Sequence, residues 1–153
     1  MRKRKITLVL MTLIIGLSTV IIGCSNINSN QLPEEMDKIK LEVVSKSELP
    51  EGINYAIKLK NGSSFTIKQN TVYISYPVNN GSSGYMANQA KVQAEGNKLD
   101  IRPGEEIALS VFIPNVFDSE KVDQNRLQYE IEGYINEVKD SNHFGQSGGD
   151  LFN

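Results

Sequence analysis

Apolar and polar residues alternate with a period of two through most of the chain between residues 37 and 139. Ile39, Leu41 and Val43 interleave with Lys40, Glu42 and Val44, and Ile53, Tyr55, Ile57 and Leu59 interleave with Asn54, Ala56, Lys58 and Lys60. Each run predicts a strand with one buried face. Phe65–Lys68 predicts a short strand, and Thr71–Tyr76 predicts another from its β-branched and aromatic content, closed by Pro77. Lys91–Glu95 and Lys98–Ile101 read as two short strands about a Gly96-Asn97 turn. Ile107, Leu109, Val111 and Ile113 form the clearest alternation, ended by Pro114. Residues 126–138 fit both periods: Leu127, Tyr129 and Ile131 suit a strand, while Leu127, Ile131, Tyr134, Ile135 and Val138 suit a helix. Their Tyr and Ile content and the interior Gly133 favour a strand with a bulge near Gly133.

Turn chemistry separates these runs. Asn61-Gly62-Ser63-Ser64 suits a turn because Asn and Gly tolerate positive φ. Arg102-Pro103-Gly104-Glu105 suits one in which Pro fixes φ and Gly supplies a positive φ next. About seven short strands with no repeat predict an all-β fold: a single antiparallel, immunoglobulin-like β-sandwich. Ser25–Glu35 is polar and Asn-rich, which predicts a flexible tether over 24–36. Asp140–Asn153 has three glycines and no periodicity, which predicts a flexible tail over 140–153.

Ahead of the tether the pattern changes. Met1-Arg2-Lys3-Arg4-Lys5 precedes an uncharged apolar run, Ile6–Ile22, the layout of a secretory signal helix. The run ends in Ile21-Ile22-Gly23-Cys24, which resembles the lipobox of bacterial lipoproteins. That resemblance implies a signal peptide over 1–23, cleavage between Gly23 and Cys24, a diacylglyceryl group on the Cys24 thiol, and acylation (palmitate-type) of the new amino terminus. Two or three chains on one residue anchor durably, since each buried methylene contributes about 0.8 kcal/mol. The expected location is the extracytoplasmic side of the cell membrane.

The leader also changes the charge. The chain carries 16 Lys and Arg against 18 Asp and Glu, but removing the four leader cations leaves 12 against 18, a net −6. A net negative chain without a basic cluster does not suit nucleic acid. One Cys excludes an internal disulfide framework and a multi-thiolate zinc site. The one His, His143, falls in the expected tail, away from any candidate nucleophile, so no catalytic residue, cofactor or metal centre is assigned.

The stretches Ile57–Pro77 and Leu99–Pro114 are similar to small immunoglobulin-like domains of bacterial surface lipoproteins, including the FxLYD-type group. They share an Asn-x-Ser step into the next strand and a Pro-Gly-Glu step into an alternating one. Tyr73-Ile74-Ser75-Tyr76-Pro77 stands near the place of the FxLYD string. The expected function is a non-enzymatic interaction module, held to the membrane at Cys24 and facing a cell-envelope protein. The contact candidates are Tyr85 and Asn80 in the long 78–89 loop, and Asp118, Glu120 and Asp123 in the acidic loop. The alternative is a surface lipoprotein that binds a ligand or calcium through those loops; a small envelope hydrolase ranks last. Tyr55, Tyr73, Tyr76, Tyr129 and Tyr134 are expected in the core or on sheet faces.

Overall fold

The computed structural model describes residues 32–79, 85–86, 90–115 and 121–151. Its elements, in chain order, are α1 (Leu32–Met36), β1 (Ile39–Leu49), β2 (Gly52–Asn61), β3 (Ile67–Ser75), β4 (Val78–Asn79), β5 (Tyr85–Met86), β6 (Val92–Gln93), β7 (Asp100–Ile101), β8 (Glu106–Pro114), β9 (Gln128–Ile135) and β10 (His143–Gly149). A 3-10 turn, Asp140–Asn142, leads into β10. One sheet has the order β1-β2-β8, and the other runs β10-β9-β3-β6 with β7 also on β3. Antiparallel pairing throughout, with β1-β2-β8 against β10-β9-β3, gives the immunoglobulin strand order, A-B-E facing G-F-C. The expected antiparallel sandwich is the fold observed.

Alternation decides which residues fill it. Tyr55, Ile57 and Leu59 of β2 and Leu109, Val111 and Ile113 of β8 meet Val72, Ile74, Ile131 and Ile135 of the other sheet, and all are buried. Burying one such aliphatic side chain contributes about 1.5–3 kcal/mol. Between the layers the Tyr55 and Tyr76 hydroxyls share a hydrogen bond of 2.9 Å. Desolvation raises the pKa of both phenols, which keeps them neutral. On the outer face of the first sheet, Lys58–Glu42 and Lys60–Glu106 form a cross-strand ladder of exposed ion pairs at 2.9 and 3.1 Å, each worth little in water.

The segment 91–101 closes one side by switching sheets. β6 pairs with Tyr73 and Ile74 of β3, Glu95 then exchanges hydrogen bonds with Ser110 of β8, and β7 returns to Ile67 and Lys68. It occupies the seventh strand position of the sandwich. The two expected short strands therefore do not pair with each other. Gly96, at φ 94°, makes the switch, and the buried Asn70 amide spans it, donating to Asn97 Oδ1 and accepting from Lys98 N–H, both at 3.0 Å.

Four expectations need correction. Phe65–Lys68 and Thr71–Tyr76 are not two strands but one, β3, whose pairing with β9 shifts between Lys68 and Thr71. The bulge expected near Gly133 is there, but on the facing strand: Gln69 adopts φ 49°, while β9 pairs with β10 without a shift. Of the segment 24–36 expected as a flexible tether, Leu32–Met36 forms the helix α1, and residues 24–31 lie outside the described residues. Pro33 suits the first helical turn, and Glu35 fastens it, pairing with Lys38 and accepting the Ser64 N–H at 2.6 Å. The tail is no tail as far as Gly149: all of β10 pairs, with Gln128–Tyr134 of β9. Its glycines serve close packing. A Cβ on Gly148 would lie 2.5 Å from the Tyr129 ring, and the buried Phe144 ring fills the space beside Gly133.

The Asn61-Gly62 turn works differently from expectation, since neither residue has positive φ. Asn61 is wholly buried and its side chain is the knot. Its Nδ2 donates to the carbonyls of Phe65 (2.8 Å) and Ile101 (2.9 Å), and its Oδ1 accepts from Ser63 N–H (3.1 Å) and Ser63 Oγ–H. Its backbone accepts from Gly104 N–H (2.7 Å) and donates to Glu105 (2.9 Å). One residue thus joins two of the crossovers between the sheets, β2 to β3 and β7 to β8. The 102–105 turn is as expected, with Gly104 at φ 77°.

Asn61→Ala takes the Nδ2 donor from the Phe65 and Ile101 carbonyls and the acceptor from the Ser63 amide and hydroxyl, leaving the Phe65 carbonyl only the 3.3 Å contact with Ser63 Oγ. At about 1–3 kcal/mol per buried unsatisfied group, stability should fall by about 3 kcal/mol or more. Urea unfolding should show a lower midpoint at unchanged m; a loss under about 1 kcal/mol would refute the knot, since that is the net worth of one ordinary hydrogen bond. A second prediction concerns acid. The Glu35 pKa is lowered from 4.5 to about 2, first by the Lys38 ammonium and next by the Ser64 amide. Its contribution is therefore complete above 4.5 and is lost as the pH falls toward 2. The Ser64 amide resonance should titrate with a midpoint near 2, not near 4.5.

Candidate functional site

The outward face of the β10-β9-β3 sheet carries a different chemistry from the ion ladder opposite. Cross-strand register lines up Ser147 with Glu130 and Glu130 with Tyr73, and beyond Tyr73 lies Gln93 of β6. Alternation puts the polar partners of Ile74, Ile131 and Phe144 on this side. Lys91, just before β6, reaches back across the strand: its Nζ sits 4.3 Å from the centre of the Tyr73 ring and pairs with the Glu130 carboxylate. These two contacts suit each other, since the ring's negative face and the carboxylate both attract the ammonium.

The protonation states reflect this pairing. Lys91 is raised above its ordinary value, chiefly by the hydrogen bond to Glu130 and against some desolvation. Glu130 is lowered, again chiefly by Lys91. Both ions are held charged, and Glu132 beside them adds negative charge. Beside this cluster lies a pocket of about 170 Å³ lined by Tyr73, Ser75, Lys91, Gln128, Glu130 and Ser147, among others. It offers an aromatic face, a cation, a carboxylate, a carboxamide and two hydroxyls at one place. Such a mixture supports recognition of a polar surface.

The sequence candidates sit elsewhere. Cys24, Gly23, Asn80, Asp118 and Glu120 lie outside the described residues. Tyr85 belongs to β5, where its backbone pairs with Asn79 of β4, and its side chain is not among those described. Asp123 caps a local turn: its Oδ1 accepts the Asn125 N–H at 3.0 Å, and its own N–H donates to the Pro77 carbonyl at 3.0 Å. The segments of Tyr85 and Asp123 both flank β4, which pairs with Tyr85 and Met86 on one side and bridges Val122, next to Asp123, through Val78. His143 belongs to β10, not to a tail, and stands edge-on to its cross-strand partner Tyr134 at 5.3 Å between ring centres. Among the tyrosines, Tyr55 and Tyr76 are core residues, while Tyr73, Tyr129 and Tyr134 are half-buried.

Tyr73, Lys91 and Glu130 were not legible as a group, because 18 and 39 residues separate Lys91 from its partners and three chain segments supply them. The one local signal is the parity of Tyr73 and Glu130, each on the polar phase of its strand.

No protein-family model matches the sequence, and neither does any curated protein sequence. Among solved structures, the chain is similar to the archaellum periplasmic stator protein FlaG from Sulfolobus acidocaldarius, at 14% identity over 72% of this chain and 98% of that one, with a TM-score of 0.34.

Lys91→Met keeps the length of the side chain and removes its charge. The carboxyl carbon of Glu130, followed by NMR through an acid titration, should then titrate at a higher pH than in the parent chain. An unchanged midpoint would mean that the ion pair does not persist in solution.

Proposed function

We propose that this chain is a lipid-anchored, extracytoplasmic interaction module whose sandwich presents the Tyr73–Lys91–Glu130 face to a protein of the cell envelope. The observation that carries the reading is the placement of the only cysteine. Cys24 stands where a basic segment and a 17-residue apolar run end in the Ile21-Ile22-Gly23-Cys24 string. A thiol there is the acceptor that lipidation chemistry requires, and acylation at Cys24 would hold the sandwich at the outer membrane surface. The polar residues up to Gln31 then act as a spacer before α1.

The sandwich supports the interaction half of the reading. Its interior is closed by aliphatic packing, and the concave, chemically mixed surface lies on one outer face. A rigid sheet holds Tyr73, Glu130 and Ser147 in fixed register, which is the preorganisation that recognition of a protein surface uses. In this reading the module performs no catalysis: the one imidazole packs against Tyr134, and binding is its whole activity.

Two measurements test the two halves. In cells making the full chain, Cys24→Ala should abolish incorporation of labelled fatty acid and leave the leader uncleaved, since the expected cleavage is made before a lipidated Cys24. Unchanged labelling and maturation would refute the anchor. Cross-linking in intact cells should recover an envelope protein with the parent chain and lose it with Lys91→Glu, which inverts the charge beside Glu130. Equal recovery from both chains would remove this face from the reading.

A further inference from the structure

The sequence treats the two outermost long strands of the sandwich differently. β1 carries a register shift at Val44 and four charges, Lys40, Glu42, Lys46 and Glu48. Bulges and charges are the devices that stop a further strand from adding to an edge. β10 has neither. His143–Gly149 contains no Lys, Arg, Asp, Glu or Pro, its register runs unbroken along β9, and no described strand lies on its far side.

We propose that β10 is an association edge that pairs antiparallel with β10 of a second copy, joining two sandwiches into one continuous sheet about a two-fold axis. Full overlap of this seven-residue strand with itself puts Gln146 on the axis, opposite its own copy. Gly145 then faces Ser147, Phe144 faces Gly148 and His143 faces Gly149. Each aromatic ring meets a glycine, and no charge meets its like. β10 already pairs with β9 in this manner, Phe144 opposite Gly133 and Gly148 opposite Tyr129. The overlap also keeps the inward residues Phe144, Gln146 and Gly148 of both copies on the same side, so that the two cores align.

Gln146 favours a second copy over an unrelated strand. Its Oε1 is buried with no hydrogen-bond partner among the described residues, and its Nε2 makes only a long 3.5 Å contact with Tyr129 Oη. Buried acceptors are seldom left so. The axis brings a second carboxamide, with donor and acceptor in the same arrangement, beside the first. Two-fold pairing closes on itself, so it yields a dimer and not a fibre.

The test uses two differently tagged full-length chains made in one cell, one with Gly145→Cys and the other with Ser147→Cys. Both positions are exposed, and a Cβ on Gly145 meets nothing within 4 Å. With copper phenanthroline as oxidant, a disulfide-linked species carrying both tags should form severalfold above a control in which both chains carry Glu106→Cys, on the far sheet. Yields equal to that control, or thiols captured by another protein, would overturn the proposal. Separately, the purified protein should sediment as two copies, and Gly145→Lys with Ser147→Lys should reduce it to one copy that still unfolds in a single cooperative thermal transition, at a midpoint that no longer depends on protein concentration. A two-copy mass that survives both lysines would overturn it equally.

Discussion

Everything in this sandwich hangs on keeping two sheets in one relation, and at one end that relation is enforced by a single carboxamide. Asn61 is buried at the point where β2 leaves the first sheet, yet its side chain serves the Phe65 carbonyl ahead of β3 and the Ile101 carbonyl on β7. Its main chain closes the 102–105 turn that feeds β8. Aliphatic burial supplies the larger share of the free energy, but it is indifferent to small slips of one layer over the other. Four directed hydrogen bonds in a dry site are not indifferent, because each one lost leaves a buried group uncompensated. Gly62 belongs to the same joint, since a Cβ there would lie 2.6 Å from the Lys38 carbonyl.

The same geometry explains what could be read from the chain and what could not. β2 and β8 were legible because one face of each is buried and the other wet, which writes a period of two into the sequence. β9 was ambiguous by period, and its β-branched and aromatic residues decided correctly for a strand. The function of Asn61 was illegible. An Asn-Gly pair signals a local turn, whereas this Asn acts on a carbonyl 40 residues away. β10 was misread because glycine signals mobility in an isolated segment; here Gly148 makes room for the Tyr129 ring contributed by another strand. The Tyr73–Lys91–Glu130 cluster shares that property, as its members meet only through the register of β3 and β9 and the approach of Lys91. Of the residues singled out from sequence, Tyr85 and Asp123 fall in the described part, on separate elements.

The functional reading joins three features in chain order. In the proposed reading a lipid on Cys24 would supply attachment, α1 leads into the fold, and the sandwich offers one face of mixed polarity and one edge, β10, that no other described strand covers. The face and the edge are adjacent, because Ser147 belongs to both. Pairing of two copies through β10 would therefore set two such faces side by side on one sheet. For a protein held on a membrane, where neighbours are concentrated in two dimensions, such doubling raises the effective strength of weak contacts without any new chemistry.

Native-state hydrogen exchange tests the central claim, that the Asn61 joint fixes the relation of the two sheets, most directly. The amides of Asn61, Ser63 and Gly104 are all donors within the joint. They should exchange only through global unfolding, with the same free energy as the buried amides of β2 and β8. Exchange of these three amides by local opening, at a free energy well below that of the strands, would contradict it.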